Sequence, residues 1–179
     1  MSTTKTLPIV LTAVMTSLLC VLAPLSIPLP GLVPVSLATF AIYLNSYILG
    51  WKKSAASVAV YLAMGLAGLP VFSAFRSGPA ILFGPTGGYL VGYLPLAAIC
   101  GLVYSSTDRK LFQICGSIAA TSLLYLIGTA WLMAVTGLSL LPALMAGMIP
   151  FIPGDLLKII MAVFLGPRIR TAVSGINMD

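Results

Sequence analysis

Asp155 and Lys158 stand three positions apart in a run from Leu138 to Gly166 that holds no other charge. On a helix that spacing puts both on one face, where they can pair or address a single ligand. At mid-membrane each would cost on the order of 2.5–3.5 kcal/mol on insertion scales, so two together need a reason. At 1.5 Å per residue back from Arg168, Lys158 lies about 15 Å and Asp155 about 20 Å from the nearer surface. Each has a structural alternative. Asp155, directly after Pro153-Gly154, suits the freed amides of a helix start, where an anion is favoured. Lys158 has no such role there, although its stem can snorkel outward or its charge can neutralise Asp155. The functional reading is taken forward because intramembrane charges mark sites by default.

Little else in the chain can do chemistry. With no His and three Asp+Glu, it lacks a triad base, His-ligated metals, the zinc-protease signature and paired carboxylates. Cys20, Cys100 and Cys115 each sit in an apolar run with no CxxC pair, and read as small buried hydrophobes. No Gly-Lys-Ser/Thr is present, so ATP has no P-loop to bind. The expectation is no enzyme, no metal and no cofactor. Any active transport must be energised by another subunit or an ion gradient.

The elements that must position the pair are membrane helices. Of 179 residues, 60% are hydrophobic and 7% charged, whereas a soluble domain carries roughly a quarter charged residues. About 20 apolar residues cross a bilayer, and six candidate spans result: Leu7–Ala23, Val35–Trp51, Ser54–Leu69, Gly87–Tyr104, Leu111–Val135 and a last one ending near Gly166. The first is read as a retained helix, since a signal-peptidase site would fall directly before Pro24. The whole chain, 1–179, reads as a single all-α integral membrane domain.

Alternating the loops puts Lys5, Lys52, Lys53, Arg109, Lys110, Arg168 and Arg170 on one side, with Arg76 alone on the other. The positive-inside rule then places both termini in the cytoplasm. This topology, rather than a nucleic-acid partner, accounts for the net charge of +6. The outer stretches are apolar and irregular. Pro24, Pro28, Pro30 and Pro34 fall within 11 residues, so that stretch must be extended. Apolar irregular backbone near a membrane persists only when buried in protein or lining a cavity, which locates a site in the outer half. An unbroken helix from Leu138 to Gly166 would be about 43 Å long against a hydrocarbon core of roughly 30 Å. Pro150 and Pro153-Gly154 therefore predict a short outer segment, a kink and a crossing helix. Gly88-x-x-x-Gly92 and Ala13-x-x-x-Ser17 suit close helix contact. Arg76 anchors at the interface or attracts an anion; Phe72, Phe75, Phe83 and Tyr89 offer aromatic surface, as an interfacial belt also would. The Gly/Pro-rich 70–86 segment reads as a lid, with glycines at 78, 84, 87 and 88 letting backbone approach a ligand.

Four motifs carry a resemblance: Ser26-Ile27-Pro28-Leu29-Pro30, Gly68-Leu69-Pro70-Val71-Phe72, Gly84-Pro85-Thr86-Gly87-Gly88-Tyr89-Leu90-x-Gly92 and Pro150-Phe151-x-Pro153-Gly154-Asp155-x-x-Lys158. In type and order they resemble the BioY biotin transporters, substrate-capture (S) subunits of energy-coupling factor (ECF) transporters. The resemblance implies a six-transmembrane-helix bundle, the ECF S-component fold, in a bacterial cell membrane. Its partners would be membrane lipid, a transmembrane coupling subunit and two ATP-binding-cassette ATPases. The family's coupling contact, Ala-x-x-x-Ala, maps to Ala13 and Ser17. Where the family usually has Thr-Leu-Gln-Thr, this chain has Ser36-Leu37-Ala38-Thr39, which removes a polar group at position 38.

Biotin carries an apolar thioether ring, a urea with two N–H donors and one acceptor, and a carboxylate on a flexible tail. A site for it should be mostly apolar with a few convergent polar groups. The candidates are Asp155, Lys158, Tyr89, Thr86, Gly87, Gly88, Arg76, Phe72 and Thr39. Asp155 can accept urea N–H bonds, and Lys158 can donate to the urea oxygen or pair with the carboxylate. Which end of the ligand faces which residue stays open at this level. The rivals are an S subunit for another water-soluble vitamin, an intramembrane enzyme and a passive channel. The last two lack acid–base groups and a polar pore stripe, respectively.

Overall fold

In the computed structural model, residues 3–27 and 33–175 are described. The chain is mostly helical: α1 (Thr3–Leu22), α2 (Ala38–Leu66), α3 (Pro79–Leu82), α4 (Gly87–Ser106), α5 (Lys110–Thr136), α6 (Leu140–Gly147) and α7 (Ile152–Gly175). Three stretches are long and apolar enough to cross a membrane, Gly87–Ser106, Lys110–Thr136 and Leu140–Val173; Leu7–Leu22 is a shorter apolar helix. Polarity is inverted relative to a soluble protein. Ile9, Leu126 and Leu141 are about 70% exposed at 70%, 68% and 69%, while Asn45, Ser46, Ser54, Ser57, Gln113 and Ser117 are fully buried. Only an apolar solvent makes that arrangement favourable.

The six expected spans fall on α1, the two arms of α2, α4, α5 and the broken α6–α7 unit. The chain reverses inside α2. Asn45 Nδ2 donates to Ser57 Oγ at 3.0 Å and Ser46 Oγ lies 3.0 Å from Ser54 Oγ; in a straight helix twelve residues span about 18 Å. The reversal is made by Gly50 at φ 70°, ψ 178°, a region open essentially to glycine alone. It comes earlier than expected, so Trp51, Lys52 and Lys53 already belong to the second arm. At its other end the helix starts at Ala38 rather than Val35. Val35–Ser36 forms strand β2, antiparallel to β1 (Ser26–Ile27), with Ser26 opposite Ser36. The outer stretch is thus extended, and this ribbon qualifies the all-α expectation. Pro28–Pro30 and the last four residues lie outside the described residues.

The last unit bends as the prolines require, but at 148–151. There Met148 leaves helical geometry, and a 3-10 turn covers Ile149–Phe151. Pro153 and Gly154 sit in the first turn of α7, where a proline costs no hydrogen bond. Nor does α7 stop near Gly166; it runs through Pro167 to Gly175. Pro167 has no N–H for the carbonyl of Val163 four residues earlier. Lys110 Nζ, at the start of α5, donates to that carbonyl at 3.0 Å instead.

α2 packs on α1, α4 and α7, and α4 packs on α5. One stripe on α5 is polar throughout: Gln113, Ser117, Thr121 and Tyr125, four residues apart and all buried. Each meets a group from another helix. Gln113 Nε2 donates to Tyr47 Oη at 3.3 Å, and Tyr104 Oη lies 2.6 Å from Ser117 Oγ. Tyr43 Oη lies 2.7 Å from Thr121 Oγ1, and Tyr125 Oη donates to Asp155 at 2.6 Å. Interhelical bonds of this kind hold bundles together where no hydrophobic effect acts between helices.

Candidate ligand-binding site

Asp155 enters the bundle from the first turn of α7 and is 5% exposed. Thr39, on the first turn of α2, donates from Oγ1 to Asp155 Oδ1 at 2.9 Å, and Lys158 Nζ donates to the same oxygen at 2.9 Å. Tyr125 Oη donates to Oδ2 at 2.6 Å. These partners are all side chains on three different helices, so Asp155 is not a cap for its own helix start. Lys158 does not snorkel. Its ammonium also donates to the Ser36 carbonyl at 2.7 Å and Thr39 Oγ1 at 3.2 Å, with 12% of the side chain exposed. Ala38 is buried, and at the next position Thr39 makes the polar contact to Asp155.

Above this pair lie two adjoining cavities of about 40 Å³ each. The inner one is lined by Ser36, Thr39, Leu124, Tyr125, Phe151, Asp155 and Lys158; the outer by Phe72, Ser73, Arg76, Ile81, Thr86 and Leu90. Val33, Pro34, Tyr89 and Tyr93 border both. Small-molecule pockets typically hold roughly 300–1,000 Å³, so a ligand of any size requires the roof to move. Larger volumes include a hollow of about 120 Å³ between α5 and α7, bordered by Thr121, Tyr125, Asp155 and Ile159, and grooves on the outside of the protein. One groove, of about 490 Å³, lies between α1 and the second arm of α2 and includes Ala13 and Ser17.

Of the residues singled out from sequence, Asp155, Lys158, Thr39 and Tyr89 meet at the inner cavity, and Arg76, Thr86, Phe72 and Tyr89 at the outer. Phe72 is buried with its ring edge-on to Tyr61 at 5.6 Å, whereas Phe75 and Phe83 are exposed outward, 65% and 66%. Gly87 and Gly88 line neither cavity. A Cβ at Gly87 would strike the Leu82 carbonyl, one at Gly88 the Trp131 side chain, and one at Gly92 the Leu124 side chain. Those glycines let α4 close onto α3 and α5. Trp131 Nε1 also donates to the Gly84 carbonyl at 3.0 Å, tying the motif to α5. Tyr89 rests over Gly128 of α5 and reaches Gly147 of α6 with its hydroxyl. Sequence reasoning missed Tyr125, Tyr93, Ser36, Leu124 and Phe151. Of these, Tyr125 had a signal in the four-residue polar repeat of α5, and Ser36 and Phe151 stood inside the quoted motifs without a role assigned to them. Among the described residues no group of three His, Cys, Asp or Glu could hold a metal ion.

The kinship of the chain is plain. Residues 1–175 match the BioY family. The chain belongs to that family. It is 34% identical over 157 residues to the biotin transporter BioY of Thermotoga maritima, covering 88% of this chain and 92% of that one. With the biotin transporter BioY2 of Lactococcus lactis subsp. cremoris it shares 33% identity over 182 residues, covering 99% and 97%. A probable biotin transporter BioY of Pyrococcus horikoshii is 33% identical over 160 residues, 89% and 94% of the two chains. The fold superposes with a TM-score of 0.86 and 28% identity on a crystal structure of the S-component for biotin from an ECF-type ABC transporter, covering 96% of this chain and 95% of that one. As a BioY chain it is a multi-pass membrane transporter and not an enzyme.

Proposed function

We propose that this BioY chain captures biotin and moves it across the membrane as the S-component of an ECF-type ABC transporter. The observation that carries the reading is the Asp155–Lys158–Thr39–Tyr125 network at the floor of a two-compartment cavity whose outer part holds Arg76. The inner pair is neutral overall and offers an acceptor, which suits a neutral urea. The outer compartment has a cation and the Thr86 hydroxyl, which suit a carboxylate. Biotin would therefore sit with its urea inward at Asp155, its ring between Tyr89 and Tyr93, and its tail toward Arg76.

The single domain, 1–179, spans the membrane six times with both termini in the cytoplasm, and biotin enters from the outer side beneath the 70–86 segment. A transmembrane coupling subunit and two ATP-binding-cassette ATPases supply the energy, and the coupling subunit docks at Ala13 and Ser17. The host membrane is a bacterial cytoplasmic membrane, although relatives of the family extend to Pyrococcus horikoshii. The test is purification without added ligand, followed by mass spectrometry of what the protein releases. Biotin should come off in near-stoichiometric amount or, from a biotin-free culture, rebind tightly; another vitamin in its place would overturn the assignment.

A further inference from the structure

A carboxylate has about four acceptor positions, two on each oxygen. On Asp155, Oδ1 receives Thr39 and Lys158, and Oδ2 receives Tyr125 at 2.6 Å. One position remains, on Oδ2; Asp155 and Tyr125 both line the inner cavity, and both also border a hollow of about 120 Å³ between α5 and α7. An ammonium has three donors, and those of Lys158 go to the Ser36 carbonyl, Thr39 Oγ1 and Asp155 Oδ1. The network thus keeps one free acceptor position and no free ammonium N–H.

We propose that Tyr125 is a specificity-determining residue: by occupying one of the two positions on Asp155 Oδ2, it limits that carboxylate to a single ligand N–H and selects a neutral urea over a cationic, donor-richer analogue. The inference rests on the orientation given above, with the urea facing Asp155. A cyclic urea presents one of its two N–H donors to Oδ2 and fills the position that Tyr125 leaves. A cyclic guanidinium of the same shape replaces the urea oxygen, an acceptor, by an amino group with two N–H donors, and adds a positive charge. Its extra N–H finds Oδ2 already shared, and its charge meets Lys158 with the Asp155 charge already engaged by three donors. An unpaired buried donor is costly, more so when charged. Phenylalanine at 125 keeps the ring and removes the hydroxyl, which reopens the second Oδ2 position to such a ligand.

The probes are biotin and its cyclic guanidine analogue, 2-iminobiotin, with dissociation constants measured on the purified full-length protein. On the unmutated chain the guanidine should bind at least a hundredfold more weakly; comparable affinity would overturn the proposal without any variant. In Tyr125→Phe the ratio of the two constants should shift at least tenfold toward the guanidine. If both ligands weaken by the same factor, Tyr125 only packs and the selectivity role is lost. A third probe, biotin methyl ester, separates this failure from failure of the orientation. With the urea inward, the penalty for esterification is unchanged by Tyr125→Phe and largely removed by Arg76→Gln. If Tyr125→Phe alters the ester penalty and leaves the urea–guanidine ratio fixed, the ligand lies the other way round and the proposal falls with the orientation. If neither biotin nor its analogue binds the unmutated chain, the biotin reading fails and takes this one with it.

Discussion

Asp155 and Lys158 neutralise each other at 2.9 Å inside the bundle, so removing either charge strands the other away from water. Breaking a buried pair from one side is far more costly than never having built it. Asp155→Asn and Lys158→Met should therefore each weaken biotin binding at least tenfold, about 1.4 kcal/mol or more. Titration calorimetry on purified, folded variants checks this, and unaltered affinity in both would leave the pair a purely structural role. These two residues were legible because a charge in an apolar run has few explanations. Ser36 was not, since what it offers Lys158 is a main-chain carbonyl that no letter of the sequence encodes. Gly87 and Gly88 were legible as glycines but ambiguous in use. The same absence of a side chain serves a mobile loop or a tight helix contact, and only Trp131 lying against Gly88 decides between them.

The elements were placed well by hydropathy and poorly at their ends, because hydropathy reports the environment of side chains and not the backbone angle at which a helix turns. Gly50 is the clearest case. A Cβ there meets nothing within 4 Å, yet its φ of +70° is one that other residues resist. Gly50→Ala should thus destabilise the protein through the backbone alone, by about 1–3 kcal/mol, seen as a lower thermal midpoint in detergent with biotin affinity retained at low temperature. An unchanged midpoint would mean that the reversal tolerates a side chain. Pro167 teaches the converse. The last span reads as ending near Gly166, directly before Pro167, but Lys110, distant in sequence, supplies the missing donor to Val163 and the helix continues. The polar repeat on α5 was open to view at Gln113, Ser117, Thr121 and Tyr125. Its meaning required knowing that tyrosines of α2 and α4 face it.

At the scale of the whole molecule, the two cavities and the groove at Ala13 and Ser17 lie on separate elements. No residue of α1 lines either cavity at the site, whereas α1 supplies Pro8, Ile9, Thr12, Ala13, Thr16 and Ser17 to the groove of about 490 Å³ beside the second arm of α2. The Ser17 hydroxyl folds back on the Ala13 carbonyl at 2.9 Å. Ser17 therefore presents little more than a methylene to a neighbour and spends its donor within the helix. Small residues at this spacing let a partner helix approach closely, and that approach, in lipid, is what holds two helices together. Ala13→Leu and Ser17→Leu should each leave biotin affinity within about twofold, roughly 0.4 kcal/mol, because the site lies on other elements. Uptake of labelled biotin by cells carrying the full transporter should fall at least fivefold, because the bulkier side chain holds the coupling subunit away. Both readings are needed from the same variants at matched expression. Normal uptake in both variants would move the coupling contact elsewhere on the surface, and loss of binding in both would mean that α1 reaches the site through the bundle after all.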